Sequence, residues 1–244
     1  MKAVIVAAGR SSRLYPLTHA TPKCLLPVGG SALLERAANM LGAAGVDELV
    51  VVVGFCHEQI RERLAGRASF VLNASYAETN NMASLGMALP QVADDDFVYM
   101  HADVIVHEGL LERLLAAPAD HDIQLLTDFD HVDDEAMKVR AERGRFAESS
   151  KLIPLDQAAG EWVGLARVAR RAAAPLLAAI EGLLAEGQRQ AYDTAAFTRL
   201  ARAGMPIGLT PTDGLPWCEI DTPADLARAR ALFNEPARLA EHAL

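Results

Sequence analysis

The chain has 244 residues, 51% of them hydrophobic, 23% charged and 5% aromatic, a length for one large domain or two small ones. With 23 Lys and Arg against 32 Asp and Glu the formal charge is −9, so no nucleic-acid partner is expected. Three scattered cysteines and no apolar run near the roughly 20 residues of a membrane span point to a reducing, cytoplasmic setting without a membrane partner.

In chain order, Lys2–Ala8 resembles the apolar run of a signal peptide but passes directly into a Gly/Arg loop, and so reads as a buried strand. Glu48–Gly54 is a second continuous apolar run, as strands covered on both faces require. Between them Leu33, Leu34, Ala37, Ala38 and Leu41 recur at helical spacing, with Gly45 as the stop. Helices follow over His57–Leu64, Met82–Leu89 and Glu108–Leu115, alternating with strands at Ser69–Asn73, Phe97–Met100 and Ile123–Leu126. This alternation predicts an α/β fold with a doubly wound, mostly parallel sheet of Rossmann type.

The second half changes character. A hairpin over Ala136–Glu148 turns at Gly144, and Trp162–Val168 reads as a strand. Ala-rich helices cover Arg170–Ala185 and Asp193–Ala203, two short strands flank Asp213-Gly214, and Thr222-Pro223 opens a closing helix to Leu232. Without repeat or linker, residues 1–244 are expected to form one domain. Its second half, about 131–232, forms a smaller lobe on the sheet, and 233–244 is a tail.

The stretch Ala7-Ala8-Gly9-Arg10-Ser11-Ser12-Arg13-Leu14-Tyr15-Pro16-Leu17-Thr18, then Thr21-Pro22-Lys23-Cys24-Leu25-Leu26-Pro27-Val28, follows the first strand, where open α/β sheets bind ligands. Gly9 lets backbone N–H groups approach an anion, and Arg10, Arg13 and Lys23 concentrate positive charge in an acidic chain. Close amides with charged donors suit a triphosphate. The segment is neither the dinucleotide fingerprint nor a P-loop. It resembles the sugar-phosphate nucleotidyltransferase superfamily, whose pattern is matched from Ala7 through Val28 except that Ser11 stands where the family has glycine. A left-handed backbone at that position costs more with serine. The resemblance implies that Arg13 and Lys23 hold the triphosphate and the charge growing on pyrophosphate, with Ala7, Ala8, Gly9, Arg10, Ser11, Ser12 and Ala102 around the nucleotide.

Asp103 ends the strand that begins at Phe97, and Asp221 ends Trp217-Cys218-Glu219-Ile220-Asp221. Each also suits a simpler role, a turn cap for Asp103 and a helix N-cap for Asp221. The superfamily places its metal carboxylates at these two motifs, which implies Mg²⁺ on Asp103 and Asp221, as a hard cation sharing carboxylate and phosphate oxygens.

Asn80-Asn81-Met82-Ala83-Ser84-Leu85 resembles the branch containing CTP:phosphocholine and small-phosphonate cytidylyltransferases. There Asn80, Asn81 and Ser84 would face a pyrimidine or ribose, while either asparagine would equally cap the helix. The segments around Lys138, Lys151 and Glu161-Trp162 carry the same resemblance. Lys138 or Lys151 would meet an acceptor phosphate. Trp162, Tyr192 and Trp217 would wall the acceptor, with Asp193 or Glu161 as counter-charge to an ammonium group. The expectation is a Mg²⁺-dependent enzyme moving CMP from CTP to a small phosphate or phosphonate, with residues 1–130 as the nucleotide half and 131–232 as the acceptor half. A sugar-1-phosphate uridylyl- or guanylyltransferase and a non-catalytic nucleotide-binding protein are the alternatives, and an oligomer is compatible with either.

Overall fold

A computed structural model describes residues Met1–Phe233. The first half contains β1 (Lys2–Ala7), a ribbon of β2 (Pro27–Val28) and β3 (Ser31–Ala32), α1 (Leu33–Ala43), β4 (Glu48–Val53), α2 (His57–Arg63) and β5 (Ser69–Leu72). It continues with α3 (Asn81–Val92), β6 (Phe97–His101), β7 (Val104–Val106), α4 (Glu108–Ala116) and β8 (Ile123–Asp128). The second half contains the hairpin of β9 (Lys138–Glu142) and β10 (Arg145–Ser149), then β11 (Gly160–Val168), α5 (Arg170–Ala185) and α6 (Thr194–Arg202). Strands β12 (Ile207–Pro211) and β13 (Trp217–Glu219) and helix α7 (Pro223–Phe233) close it.

The main sheet runs β10-β9-β11-β6-β1-β4-β5, with β8 pairing β11 and β12 pairing β8. Its central block is parallel, β1 pairing in register with β4 and β6, and β4 with β5. Alternation along these strands sends side chains to two cores. Val4, Val50, Val52 and Tyr99 meet Met82, Leu85, Leu176, Ile180 and Phe197 from α3, α5 and α6. Ala3, Ile5, Val51, Val53 and Met100 meet Leu34, Leu41, Ile60, Leu110 and Leu114 from α1, α2 and α4. Helices on both faces explain why these strands have no polar side. The expected doubly wound, mostly parallel sheet is present.

The antiparallel part is organised by β11, which pairs β6 through Leu165–Val168 and β9 through Gly160 and Glu161. The change occurs at Gly164, with φ +91°, where the register against β8 shifts between Trp162 and Ala166. A β-carbon there would lie 2.8 Å from Nδ1 of His101, so both the backbone angle and the neighbouring ring require glycine. The bend leaves the carboxyl ends of β1 and β6 facing an open cleft.

Sequence boundaries hold to within about three residues. Helix α3 continues past Leu89 through Pro90, where its last turn buries Val92. The short strands β2, β3 and β7 carry too few residues to show a period, and they emerge only from pairing with one another and with β13. Beyond Phe233 the expected tail lies outside the described residues. No helix among the described residues is long and apolar enough to cross a membrane, and Cys24, Cys56 and Cys218 are unpaired.

Candidate active site

The cleft at the ends of β1 and β6 holds a cavity of about 360 Å³. Its floor is the loop after β1, where Ser11 adopts φ 53° and ψ 52°, the left-handed geometry that glycine usually supplies. Buried Thr18 holds that geometry by donating its hydroxyl to Ser11 O at 2.7 Å. Leu14 then anchors the loop in a small core with Leu26, Val28, Ile105 and Ile220, which also fixes the segment carrying Asp221. Ala8, Gly9, Ser11 and Arg13 line the cavity. Ala7 and Ala102 border a small recess beside Lys23. Arg10 turns away to stack over Phe55, 5.6 Å from the ring centre, and Ser12 begins a 3₁₀ turn; neither belongs to the cavity wall.

Charges meet at the cleft's edge. Lys23, nearly buried, donates from Nζ to Asp103 Oδ2 at 2.8 Å and to Asp221 Oδ1 at 2.7 Å. Arg13 Nη2 donates to Asp221 Oδ2 at 2.7 Å. Burial alone would lower the Lys23 pKa, but the two carboxylates outweigh it and the ammonium is held above its ordinary range. Burial likewise opposes ionisation of Asp103, yet Lys23 and His101 keep its carboxyl below the usual range.

Glu219 joins this group, its carboxylate lying with those of Asp103 and Asp221 within 4.8 Å of one another. Enclosure in the cleft, reinforced by the charges of Asp103 and Asp221, pushes Glu219 up to about 7. Three hard oxygen donors so close, at the end of β13 and in the connections just past β6 and β13, fit a hard divalent cation such as Mg²⁺. Sequence reasoning missed Glu219. The signal was present, since Glu219 stands two residues before Asp221 in the same short segment.

The far wall joins α3 to α6. Asp193 is buried; its Oδ1 accepts from Thr194 N at 2.8 Å and its Oδ2 lies 2.7 Å from His101 Nε2. Burial opposes charging of His101, but Asp193 outweighs it and lifts the imidazole to about 9. Asp193 is thus internally compensated rather than a free counter-charge, and His101, which reads from sequence as a strand residue, lines the cavity. Asn73, also missed, holds the intervening loop: its side chain donates to Thr79 Oγ1 at 3.0 Å and to Ser84 Oγ at 3.1 Å. Asn80 and Asn81 line the cavity, although their amides contact the 190–193 segment, and Asn80 caps α3.

The two lysines offered for the acceptor separate clearly. Lys138 is buried, donating to Asp134 O at 2.7 Å and Lys151 O at 2.9 Å, so it holds a loop and does not line the cavity. Lys151 reaches the cavity with no ion pair on its ammonium among the described residues. Trp162 and Tyr192 stand on the same wall, Trp162 edge-on to His101 at 6.0 Å. Glu161 and Trp217 face an adjoining outer recess that shares Arg13, Lys151, Glu219 and Asp221 with the cavity. There Trp217 Nε1 donates to Asp128 Oδ2 at 2.7 Å. Glu161 is raised to about 7 by burial first, then by Asp133, Glu219 and Asp128.

Residues 3–203 match the sequence profile of the MobA-like NTP transferase domain. Among curated proteins, CMP-5'-(3-aminopropyl)phosphonate synthase of Streptomyces rubellomurinus is 30% identical over 253 residues, covering 97% of this chain and 39% of that protein. The 2-aminoethylphosphonate cytidylyltransferase of Lancefieldella rimae is 36% identical over 109 residues, covering 43% of this chain and 44% of that protein. The aligned regions thus span well under half the length of these relatives. The inositol-1-phosphate CTP transferase structure from T. maritima superposes with a TM-score of 0.80 at 22% identity, covering 95% of both chains, a likeness of fold.

Proposed function

The chain belongs to the MobA-like NTP transferase domain family, and from that premise we propose that it is a Mg²⁺-dependent cytidylyltransferase acting on a small phosphate or phosphonate. The observation that carries this reading is one continuous cleft with the glycine loop, a paired lysine and a carboxylate trio at one edge and an unpaired lysine with aromatics at the other. Relatives named for phosphonate and CTP chemistry support the choice of nucleotide and acceptor class.

In this reading an acceptor oxygen attacks the α-phosphorus of CTP. The bond to the β-phosphate breaks, and pyrophosphate leaves with its electron pair. Such a reaction needs alignment and neutralisation of spreading charge more than covalent help from the protein. Arg13 and Lys23 would meet the triphosphate and the growing charge on pyrophosphate. Asp103, Glu219 and Asp221 would hold Mg²⁺, which when bound supplies Lewis-acid neutralisation of phosphate oxygens. Lys151 would orient the acceptor phosphate. Tyr192, 41% exposed on the cavity wall, would meet an ammonium group with its ring, and Glu161 in the outer recess would supply a counter-charge. The cleft joins the nucleotide half, about 1–130, to the acceptor half, about 131–232, of one domain.

The test is pyrophosphate release across CTP, UTP, GTP and ATP, each with phosphocholine, 2-aminoethylphosphonate, an inositol phosphate and glucose 1-phosphate. CTP with an amino-bearing acceptor should give the highest turnover, because a site built around one pyrimidine edge leaves a buried group unpaired with the other. Equal use of CTP and UTP, or preference for the sugar phosphate, would overturn the cytidylyl reading.

A further inference from the structure

Two asparagines that open α3 reach across the cleft to the chain just ahead of α6. Asn80 donates its backbone N–H to Arg189 O at 3.1 Å and its side-chain amide to Gln190 O at 3.3 Å. Asn81 Oδ1 accepts the backbone N–H of Asp193 at 2.9 Å, and its Nδ2 lies 3.2 Å from His101 Nε2. His101 Nε2 meets Asp193 Oδ2 at 2.7 Å, so one asparagine side chain contacts both members of a buried hydrogen-bonded pair.

The segment's own hydrogen bonds are local: Arg189 N–H bonds Gly187 O and Ala191 N–H bonds Gln188 O. Beyond these, Arg189 reaches Glu78 at 3.6 Å and Ala191 packs against the core. Tyr192 lies inside this stretch, lines the cavity, and its hydroxyl has no partner among the described residues. Tyr192 thus stands between Ala191, packed on the core, and Asp193, the residue that Asn81 and His101 hold. Asn81 Oδ1 is already taken by the Asp193 N–H, which leaves it poorly suited to accept from a base edge as well.

We propose that Asn81 is a positioning residue of the acceptor subsite: through the Asp193 N–H and the His101–Asp193 pair it fixes Tyr192 on the cavity wall, and it does not select the base. The proposal rests on the nucleotidyl-transfer reading above. It connects the start of the helix behind the nucleotide to the ring that contacts the acceptor.

The test compares wild type, Asn81→Ala and Asn81→Asp in the full chain, with CTP, UTP and 2-aminoethylphosphonate, alongside backbone amide exchange over residues 187–193. Losing a buried hydrogen bond should raise the acceptor KM of Asn81→Ala by about tenfold, with exchange at Asp193 accelerated by a similar factor. The CTP KM and the CTP-to-UTP ratio should stay within about twofold of wild type, since no base contact is removed. Asn81→Asp keeps an oxygen for the Asp193 N–H and should return the acceptor KM to within about threefold of wild type. If Asn81→Ala does not fold, Asn81→Ser, too short to reach Asp193, replaces it. An active wild type whose Asn81→Ala variant changes nucleotide choice, or leaves acceptor KM or exchange untouched, overturns this proposal alone. A wild type inactive with every pairing overturns the transfer reading, and this proposal with it.

Discussion

The two edges of the cleft handle charge in opposite ways. At the proposed phosphate edge both cations are already answered, Lys23 lying between Asp103 and Asp221 and Arg13 closing on Asp221, and of the three carboxylates only Glu219 lacks a cation among the described residues. At the acceptor edge Lys151 is unpaired among the described residues, and Glu161 is pushed up to about 7 by burial and by neighbouring carboxylates. The first edge is thus structural as well as functional, and removing a partner there strands a charge. The second is built of groups whose natural partners would arrive with a ligand, so changing them should alter kinetics and spare the fold.

The largest effects are expected at the phosphate edge. In the proposed reaction Asp103→Asn and Asp221→Asn should each lower turnover by about a hundredfold or more, because each would remove a hard-cation ligand beside the transferred phosphate. Near-normal turnover in both folded variants, measured by pyrophosphate release, would remove the metal assignment. Lys23→Ala should cost about 3 kcal/mol in kcat/KM for CTP and also lower the urea midpoint, since it leaves two carboxylates facing each other. A loss of stability without a kinetic loss would make Lys23 purely structural and collapse the contrast between the edges.

Smaller and cleaner effects belong to the acceptor edge. Lys151→Ala should raise the acceptor KM about tenfold with CTP kinetics and melting temperature unchanged. A drop in melting temperature there would break the comparison. Glu161 sharpens it through pH. Its carboxyl ionises near 4.5 ordinarily and near 7 in the fold, so the folded chain holds that proton longer. The contribution to stability is therefore present below about pH 4.5 and is lost as pH rises through about 7. Between those limits the full linkage is about 3 kcal/mol, and with solvent screening in the open recess wild type should lose about 1–3 kcal/mol, or about 2–10 °C, relative to Glu161→Gln. Thermal melts of both proteins across pH 4.5–8, roughly the window of that titration, check this; parallel curves would contradict it.

The sequence was most legible where chemistry is contiguous. The loop from Ala7 to Val28 carries its whole pattern in one stretch, and Ser11 retains the left-handed backbone through Thr18, a contact no spacing rule announces. Parallel strands were readable because burial on both faces leaves continuous apolar runs, whereas β2, β3 and β7 are defined by partners elsewhere in the chain. Lys138 and Lys151 look alike as residues, and only folding shows that the buried one holds carbonyls while the other reaches the cavity. His101 became part of the site through Asp193, ninety-two residues away, and Gly164, which makes room for its ring. Long-range pairing of that kind leaves no local trace.

In the proposed reaction this cleft joins a cytidylyl group to a small phosphorus acid. The most direct measurement is phosphorus NMR with mass spectrometry on wild type given CTP, Mg²⁺ and 2-aminoethylphosphonate. The account predicts pyrophosphate and a CMP–phosphonate conjugate in equal amounts, with no conjugate from Asp103→Asn. Unchanged CTP, or CTP cleaved to CMP and pyrophosphate without a conjugate for any phosphate or phosphonate offered, would contradict it.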